Sequence, residues 1–417
     1  MYLKTPFEGF FGYGLVFWIS LLIILVYFES GFRLRQMFRG LGWMTASTLL
    51  VLWMVGSQLF YYLPTGKYLV FTQTMQTVLI ASVFLSMFLV IYRLLLQVPD
   101  LYTRLLKGYW PSTSPKVIPN TGIFFHLIDD RGIHGNSNLE KRAIRGSWLS
   151  IASCGVVLAF GNHTANETLT VRAEEISIVA QGSDDVFRIV VFSDSHVHSN
   201  TPAKRIDNWI NTINKQSADV VLITGDFFDG NTSSLENQLA KFKNLRAKKG
   251  IYFVPGNHEY YFNAPRSPLN LDKFGIQDIT DQIQDISVAG VSISIIGSDD
   301  LRAVKSEKKW RKRAIDLAKS SASQVKILAV HQPQIANTDI KKEYDLILAG
   351  HTHCGQYWPL TILGKFLNPS ENKEGNLFIS CGAGQLIPDF RLGTTPEILV
   401  VDVAFVSAAD TTNLTNK

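Results

Sequence analysis

The chain has 417 residues, 46% hydrophobic and 18% charged, with a formal net charge of +5. That length exceeds one average domain. The modest charge, without a dense basic helix, excludes nucleic acid as an expected partner. Three cysteines, Cys154, Cys354 and Cys381, exclude a disulfide scaffold and a cysteine-ligated zinc site.

The first elements are apolar. Phe11–Phe28, Leu41–Leu63 and Tyr68–Tyr92 are long, uncharged and carry Trp or Tyr near an end. A membrane-crossing helix needs about 20 such residues, so residues 1–98 are expected to form three transmembrane helices. Residues 99–145 read as a basic linker, with Pro99, Pro111, Pro115 and Pro119 followed by a Gly/Asn-rich stretch. Residues 146–165 contain a shorter apolar run, Gly146–Phe160, after Lys141, Arg142 and Arg145. It is a candidate fourth span, a signal-anchor, or a helix lying at the surface.

Basic residues set the orientation. Arg33, Arg35 and Arg39 lie in the first loop, only Lys67 in the second, and Arg93, Arg104, Lys107, Lys116, Arg131, Lys141, Arg142 and Arg145 in the third. Positive-inside bias places the first and third loops in the cytoplasm. The expectation is a multi-pass integral membrane protein whose later part lies on the non-cytoplasmic face. If Gly146–Phe160 does not cross, that part is cytoplasmic.

After residue 165 the pattern changes. Phe187–Phe192, Val220–Ile223, Ile251–Val254, Lys326–Val330 and Leu346–Leu348 are short runs rich in apolar and β-branched residues. Helix-like stretches Lys204–Lys215, Leu235–Lys248 and Glu307–Ala322 lie between them. Strands buried on both faces and alternating with helices predict parallel βαβ units. Ile286–Gly297 predicts a hairpin turning at Ala289-Gly290, and Leu377–Val403 two further strands. Extra strands beside a parallel sheet imply two packed sheets with helices outside. The expected fold is α/β, a four-layer αββα sandwich over residues 186–405, preceded by an all-α transmembrane region. Residues 406–417 read as a polar tail.

Five polar motifs follow the apolar runs: SDSH (Ser193–His196), GD (Gly225–Asp226), GNHE (Gly256–Glu259), His331, and GHTH (Gly350–His353). Taken singly, an aspartate after a strand is an ordinary turn residue and a histidine at a strand end an ordinary buried one. Jointly they place Asp194, His196, Asp226, Asn257, His258, His331, His351 and His353 at successive strand ends, where α/β folds bind ligands. Residues i and i+2 of an extended segment point the same way, so Asp194 and His196 are expected to share an ion, and His351 and His353 to project together. Carboxylate, amide and imidazole donors without thiolate suit hard or borderline divalent metals. Two such ions bridged by a carboxylate form a template for in-line displacement at phosphorus. His198 reads as a surface histidine.

The order SDSH, GD, GNHE, H, GHTH resembles the calcineurin-like metallophosphoesterases over about residues 186–405. The continuation GHTHCGQ, with Pro359 and then Pro396-Glu397, is most similar to a membrane-anchored bacterial branch and its transmembrane relatives. The resemblance implies Asp194, His196, Asp226 and His353 around a first metal, and Asp226, Asn257, His331 and His351 around a second. His258 would face the scissile phosphate as the catalytic residue. Ser195, His198, Cys354 and Cys381 depart from the branch pattern and bear on substrate preference, not on the ligands.

The resulting expectation is a membrane-anchored phosphoesterase with two divalent ions (Mn, Fe, Zn or similar). It would hydrolyse a phosphodiester or pyrophosphate bond by metal-activated hydroxide. Tethering at a lipid bilayer favours a lipid-linked substrate, such as UDP-2,3-diacylglucosamine in the related enzymes. The alternative is a non-catalytic membrane receptor or scaffold with a relict site. In a non-cytoplasmic location Cys354 and Cys381 could pair or stay free.

Overall fold

The computed structural model describes residues 152–153, 155–166, 169–181, 185–230, 232–262, 270–357, 361, 375–385 and 390–407. The three expected spans in 1–98, the linker 99–145 and the tail beyond 407 lie outside the described residues. Within 146–165, residues 152–153 and 155–165 are described and are helical. Among the described residues no helix is long and apolar enough to cross a membrane.

In chain order the strands are β1 (Thr170–Val179), β2 (Val186–Phe192), β3 (Val220–Thr224), β4 (Gly250–Val254), β5 (Gln277–Asp278), β6 (Ile283–Val288), β7 (Val291–Gly297), β8 (Val325–Ala329), β9 (Leu346–Ala349), β10 (Leu377–Ile379) and β11 (Glu397–Val406). After β1 the described α-helices are α1 (Ala203–Asn214), α2 (Glu236–Leu239), α3 (Asn257–Phe262), α4 (Leu301–Val304), α5 (Glu307–Ser320) and α6 (Thr338–Glu343). These belong to the compact unit that includes Phe160–Lys417. Among the described residues the strands form two mixed sheets, ordered β1-β11-β2-β3-β4-β5 and β10-β9-β8-β7-β6. Pairing is parallel except for β11 with β2 and β6 with β7.

Strand periodicity explains the layering. In β2, Phe187, Ile189 and Val191 enter a core shared with Ile293, Ile327 and Leu348 of the other sheet. Val190 and Phe192 point the opposite way, onto Trp209 and Ile210 of α1. Leu328 and Ile347 do the same for Trp310 and Ala314 of α5. Each sheet is therefore covered on both faces, which is why the runs read as continuously apolar. Burying one such side chain stabilises the fold by about 1.5–3 kcal/mol.

The expected hairpin forms. Ala289 (φ 54°) and Gly290 (φ 82°) both adopt left-handed geometry between β6 and β7, as the favoured two-residue turn requires. Two features differ from expectation. The stretch Leu235–Lys248 winds as a 3-10 turn (Thr232–Leu235), α2 and a second 3-10 turn (Ala240–Asn244), although Leu235, Leu239 and Phe242 still face the core. The sheet also starts before residue 186. β1 pairs parallel with β11 from Thr170 to Val179, and its alternating exposure marks an edge strand. A strand exposed on alternate residues lacks the continuous apolar run that identified the others.

Candidate metal centre

Three parallel strands of one sheet and two of the other each deliver a site residue within three positions of their ends. Asp194 follows β2, Asp226 follows β3, Asn257 follows β4, His331 follows β8 and His351 follows β9. The turns are abrupt. Asp194, His196, Asp226, His351 and His353 all have positive φ, between 47° and 74°. The extended geometry behind the i, i+2 expectation is therefore absent. Asp194 and His196 still converge, together with His353, whereas His351 turns to a different group, with Asp226 and His331. Gly225 (φ +81°) is one position where backbone freedom is required. A Cβ there would stand 2.6 Å from the Gly256 nitrogen and 2.7 Å from His331 Nδ1.

Hydrogen bonds assign the ring nitrogens. His331 Nδ1 is 2.9 Å from the Thr224 carbonyl, which can only accept, so Nδ1 carries the proton and Nε2 is the free donor atom. That Nε2 lies 3.0 Å from His351 Nδ1 and 3.2 Å from Asp226 Oδ2. Likewise His196 Nδ1 donates to Asp229 Oδ1 at 3.0 Å, leaving its Nε2 facing His353 Nε2 at 3.1 Å, with Asp194 Oδ1 3.4 Å from the latter. Facing ring nitrogens at such distances share a proton in metal-free protein, as when His353 Nδ1 accepts from Arg391 at 3.4 Å and its Nε2 carries the hydrogen, or a cation that takes the proton's place. The spacing suits two ligands on bonds of about 2.1 Å to one divalent ion.

His258 belongs to the same cluster. Its Nδ1 donates to Asp229 Oδ1 at 2.7 Å, and its Nε2 lies 3.9 Å from Asp226 Oδ2. It groups with His196 and Asp226. Its backbone N–H donates to Asp226 Oδ1 at 2.8 Å. Asn257 Oδ1 is buried and, among the described residues, accepts no hydrogen bond. Leaving such an acceptor unpaired is costly, and a cation would satisfy it. The oxygen and nitrogen donors present therefore fit divalent metal.

Three further residues shape the site and were not assigned roles from sequence. Asp229 holds both His196 and His258, as carboxylates behind metal-ligating histidines do. Glu259 is buried and accepts from the backbone N–H of Gly256 (2.7 Å), Phe227 (2.8 Å), Asp226 (3.0 Å) and Phe228 (3.2 Å), tying the turns after β3 and β4 together. Arg391 is fully buried and donates to the carbonyls of Cys381, Gly382 and Gly384, beside His353. The spacing Asp226–Asp229 in GDFFD was the only sequence signal for the first of these. His198 is buried, not surface-exposed, and its Nδ1 accepts from the Asn200 N–H at 3.2 Å within its own turn. It joins none of the metal-competent groups. Cys354 and Cys381 pair in a disulfide.

The electrostatics follow from burial. Burial alone would raise Asp226, but His331 and His258 outweigh it and hold its carboxyl well below the usual range. Burial opposes protonation of His331, yet Asp226 and Asp194 raise it to about 10. Asp229 and Asp226 raise His258 to about 9 against the same penalty. Burial and the neighbouring His331 lower His351 to about 3. Burial, with the Asp226 charge, pushes Glu259 up to about 7. In metal-free protein, protons on His331 and His258 balance carboxylates that a cation would otherwise neutralise.

Residues 187–355 match the family described as calcineurin-like phosphoesterase. An uncharacterised metallophosphoesterase of Campylobacter jejuni is 29% identical over 284 residues, covering 64% of this chain and 71% of that protein. A Bos taurus protein described as a transmembrane protein with metallophosphoesterase domain is 30% identical over 230 residues, 51% of each. The chain thus spans about half the length of that relative, and 58% of a Helicobacter pylori metallophosphoesterase. Among solved structures, the Plasmodium inner-membrane-complex anchor GAP50 aligns with a TM-score of 0.34 at 12% identity, over 52% of this chain and 80% of that one, too distant to bear on mechanism. The chain carries a calcineurin-like metallophosphoesterase domain.

Proposed function

We propose that this domain is a dinuclear-metal phosphoesterase that hydrolyses a phosphodiester or pyrophosphate bond. The observation that carries this reading is the pair of facing imidazole contacts, His196–His353 and His331–His351, each beside an aspartate, on turns that follow strands of both sheets. Asp194, His196, Asp226 and His353 would hold one ion. Asp226, Asn257, His331 and His351 would hold the other, with Asp226 shared. When bound, such ions polarise a phosphoryl oxygen and acidify a water.

The remaining work falls to the side chains. Thr224 and Asp229 fix the tautomers of His331 and His196 so that Nε2 of each faces inward. His258 is held through Nδ1 by Asp229, with Nε2 toward the site. In metal-free protein Asp229 and Asp226 raise it to about 9 against burial. It can thus stabilise developing charge or protonate the leaving oxygen.

Membrane anchorage through residues 1–98, a catalytic domain on the non-cytoplasmic face and a lipid-linked substrate are parts of the same proposal. The long uncharged runs support the first, as do the Bos taurus and Danio rerio relatives described as transmembrane. The Cys354–Cys381 disulfide supports an oxidising location. Turnover of bis(p-nitrophenyl) phosphate by purified, Mn-loaded full-length protein tests the catalytic reading. Full activity in D226A or H351A would sink it, and absence of any turnover or bound metal would favour a receptor with a relict site.

A further inference from the structure

Beside His258 the domain carries a cation that the chemistry above does not use. Arg302 is exposed, and among the described residues its guanidinium meets no carboxylate. Its Cζ lies 4.8 Å over the ring of Tyr261. That ring lies 5.1 Å from the imidazole of His258. Tyr261 is itself 42% exposed, so the pair is open to solvent next to His258.

The backbone under this arginine is held firmly. Asp300 Oδ1 accepts the Arg302 N–H at 2.7 Å, and the same carboxylate accepts from Gln332 Nε2 at 2.9 and 3.0 Å. Gln332 directly follows His331. The Tyr260 hydroxyl donates to Asp299. Asp299 and Asp300 are both fully buried. The α4 turn is therefore fastened to α3, which carries His258, and to the turn after β8, which carries His331. A guanidinium stacked on an aromatic face keeps its N–H edge available for a two-point grip on phosphate.

We propose that Arg302, seated on Tyr261, binds a second phosphate of the substrate, next to the phosphoryl group under attack. This names the substrate class as a pyrophosphate-linked or doubly phosphorylated ester. It rests on the phosphoesterase reading of the centre and narrows it.

AMP and ADP differ by one phosphate and share everything else, so their affinity ratio isolates the second anion. Full-length protein with divalent metal in excess would be titrated with each nucleotide calorimetrically, and each would be tested as an inhibitor of bis(p-nitrophenyl) phosphate turnover. Wild-type protein is expected to bind ADP roughly tenfold or more tighter than AMP. R302Q should bring that ratio close to one, and R302K should retain part of it. A wild-type protein without the ADP preference, or R302Q that keeps it, overturns the proposal. So does R302Q that weakens AMP and ADP alike, because the arginine then acts on the site as a whole. If turnover is absent while an Arg302-dependent ADP preference appears in calorimetry, the anion site is supported and the catalytic reading alone fails.

Discussion

Asp226 Oδ2 stands 3.2 Å from Nε2 of His331, and both side chains are almost wholly shielded from solvent. The carboxylate's other oxygen accepts the His258 N–H at 2.8 Å. One aspartate thus faces both halves of the centre. D226N, nearly isosteric, is expected to lower turnover by about two orders of magnitude or more. It should also reduce bound metal at both positions, measured by elemental analysis. Loss of one ion only would assign the bridge to another residue.

Asp229 acts through the two histidines it holds. D229N should lower kcat about 10- to 100-fold, as loss of partners behind metal ligands does. His258 must be protonated to act as an acid, so activity falls as pH rises through its pKa. Asp229 helps to raise that pKa to about 9. D229N should therefore move the alkaline fall of kcat to lower pH. An unchanged alkaline limb in D229N would show that His258 is not the acid.

Metal binding should release protons. His331 ligates only after losing the proton that Asp226 and Asp194 hold on it up to about pH 10 against the cost of burial. In metal-free protein this raised histidine contributes stability that is full below its ordinary value of 6.5 and is lost as pH rises through about 10. Metal competes with that proton, so the gain in melting temperature on adding Mn should grow from pH 6 to pH 9. Titration calorimetry in buffers of different ionisation enthalpy should report net proton release. A pH-independent gain would contradict the assignment of His331 as a ligand.

Glu259 serves four backbone donors. E259A leaves those donors buried and unpaired, at a cost of about 3 kcal/mol or more in unfolding free energy. E259Q should also destabilise. Oε1 accepts from Phe227 and Phe228, and Oε2 from Asp226 and Gly256, so either amide orientation turns an NH2 group toward two N–H donors. Chemical denaturation of the metal-free variants measures both.

Much of this centre was legible in the sequence because each ligand lies two to four residues beyond the end of an apolar strand. Burial on both faces makes such strands plain runs of β-branched residues, as in Phe187–Phe192. The left-handed turns at Asp194, His196, Asp226, His351 and His353 were not legible. Tertiary contacts impose that geometry, and no glycine announces it at those positions. Asp229, Glu259 and Arg391 escaped because a lone charged residue has no periodic signature, and only folding shows which are buried. β1 escaped for the opposite reason, as an edge strand that alternates with polar residues. Its ten-residue pairing with β11 predicts that a fragment beginning at Phe160 melts higher than one beginning at Ser183. Equal melting temperatures would show β1 to be dispensable.

Metal content and turnover measured on one preparation test the central claim most directly. The account predicts two divalent ions per chain by elemental analysis of the purified full-length protein. Hydrolysis of bis(p-nitrophenyl) phosphate should disappear on chelation and return when Mn is restored. A chain that binds no metal under those conditions, or whose hydrolysis survives complete chelation, would contradict it.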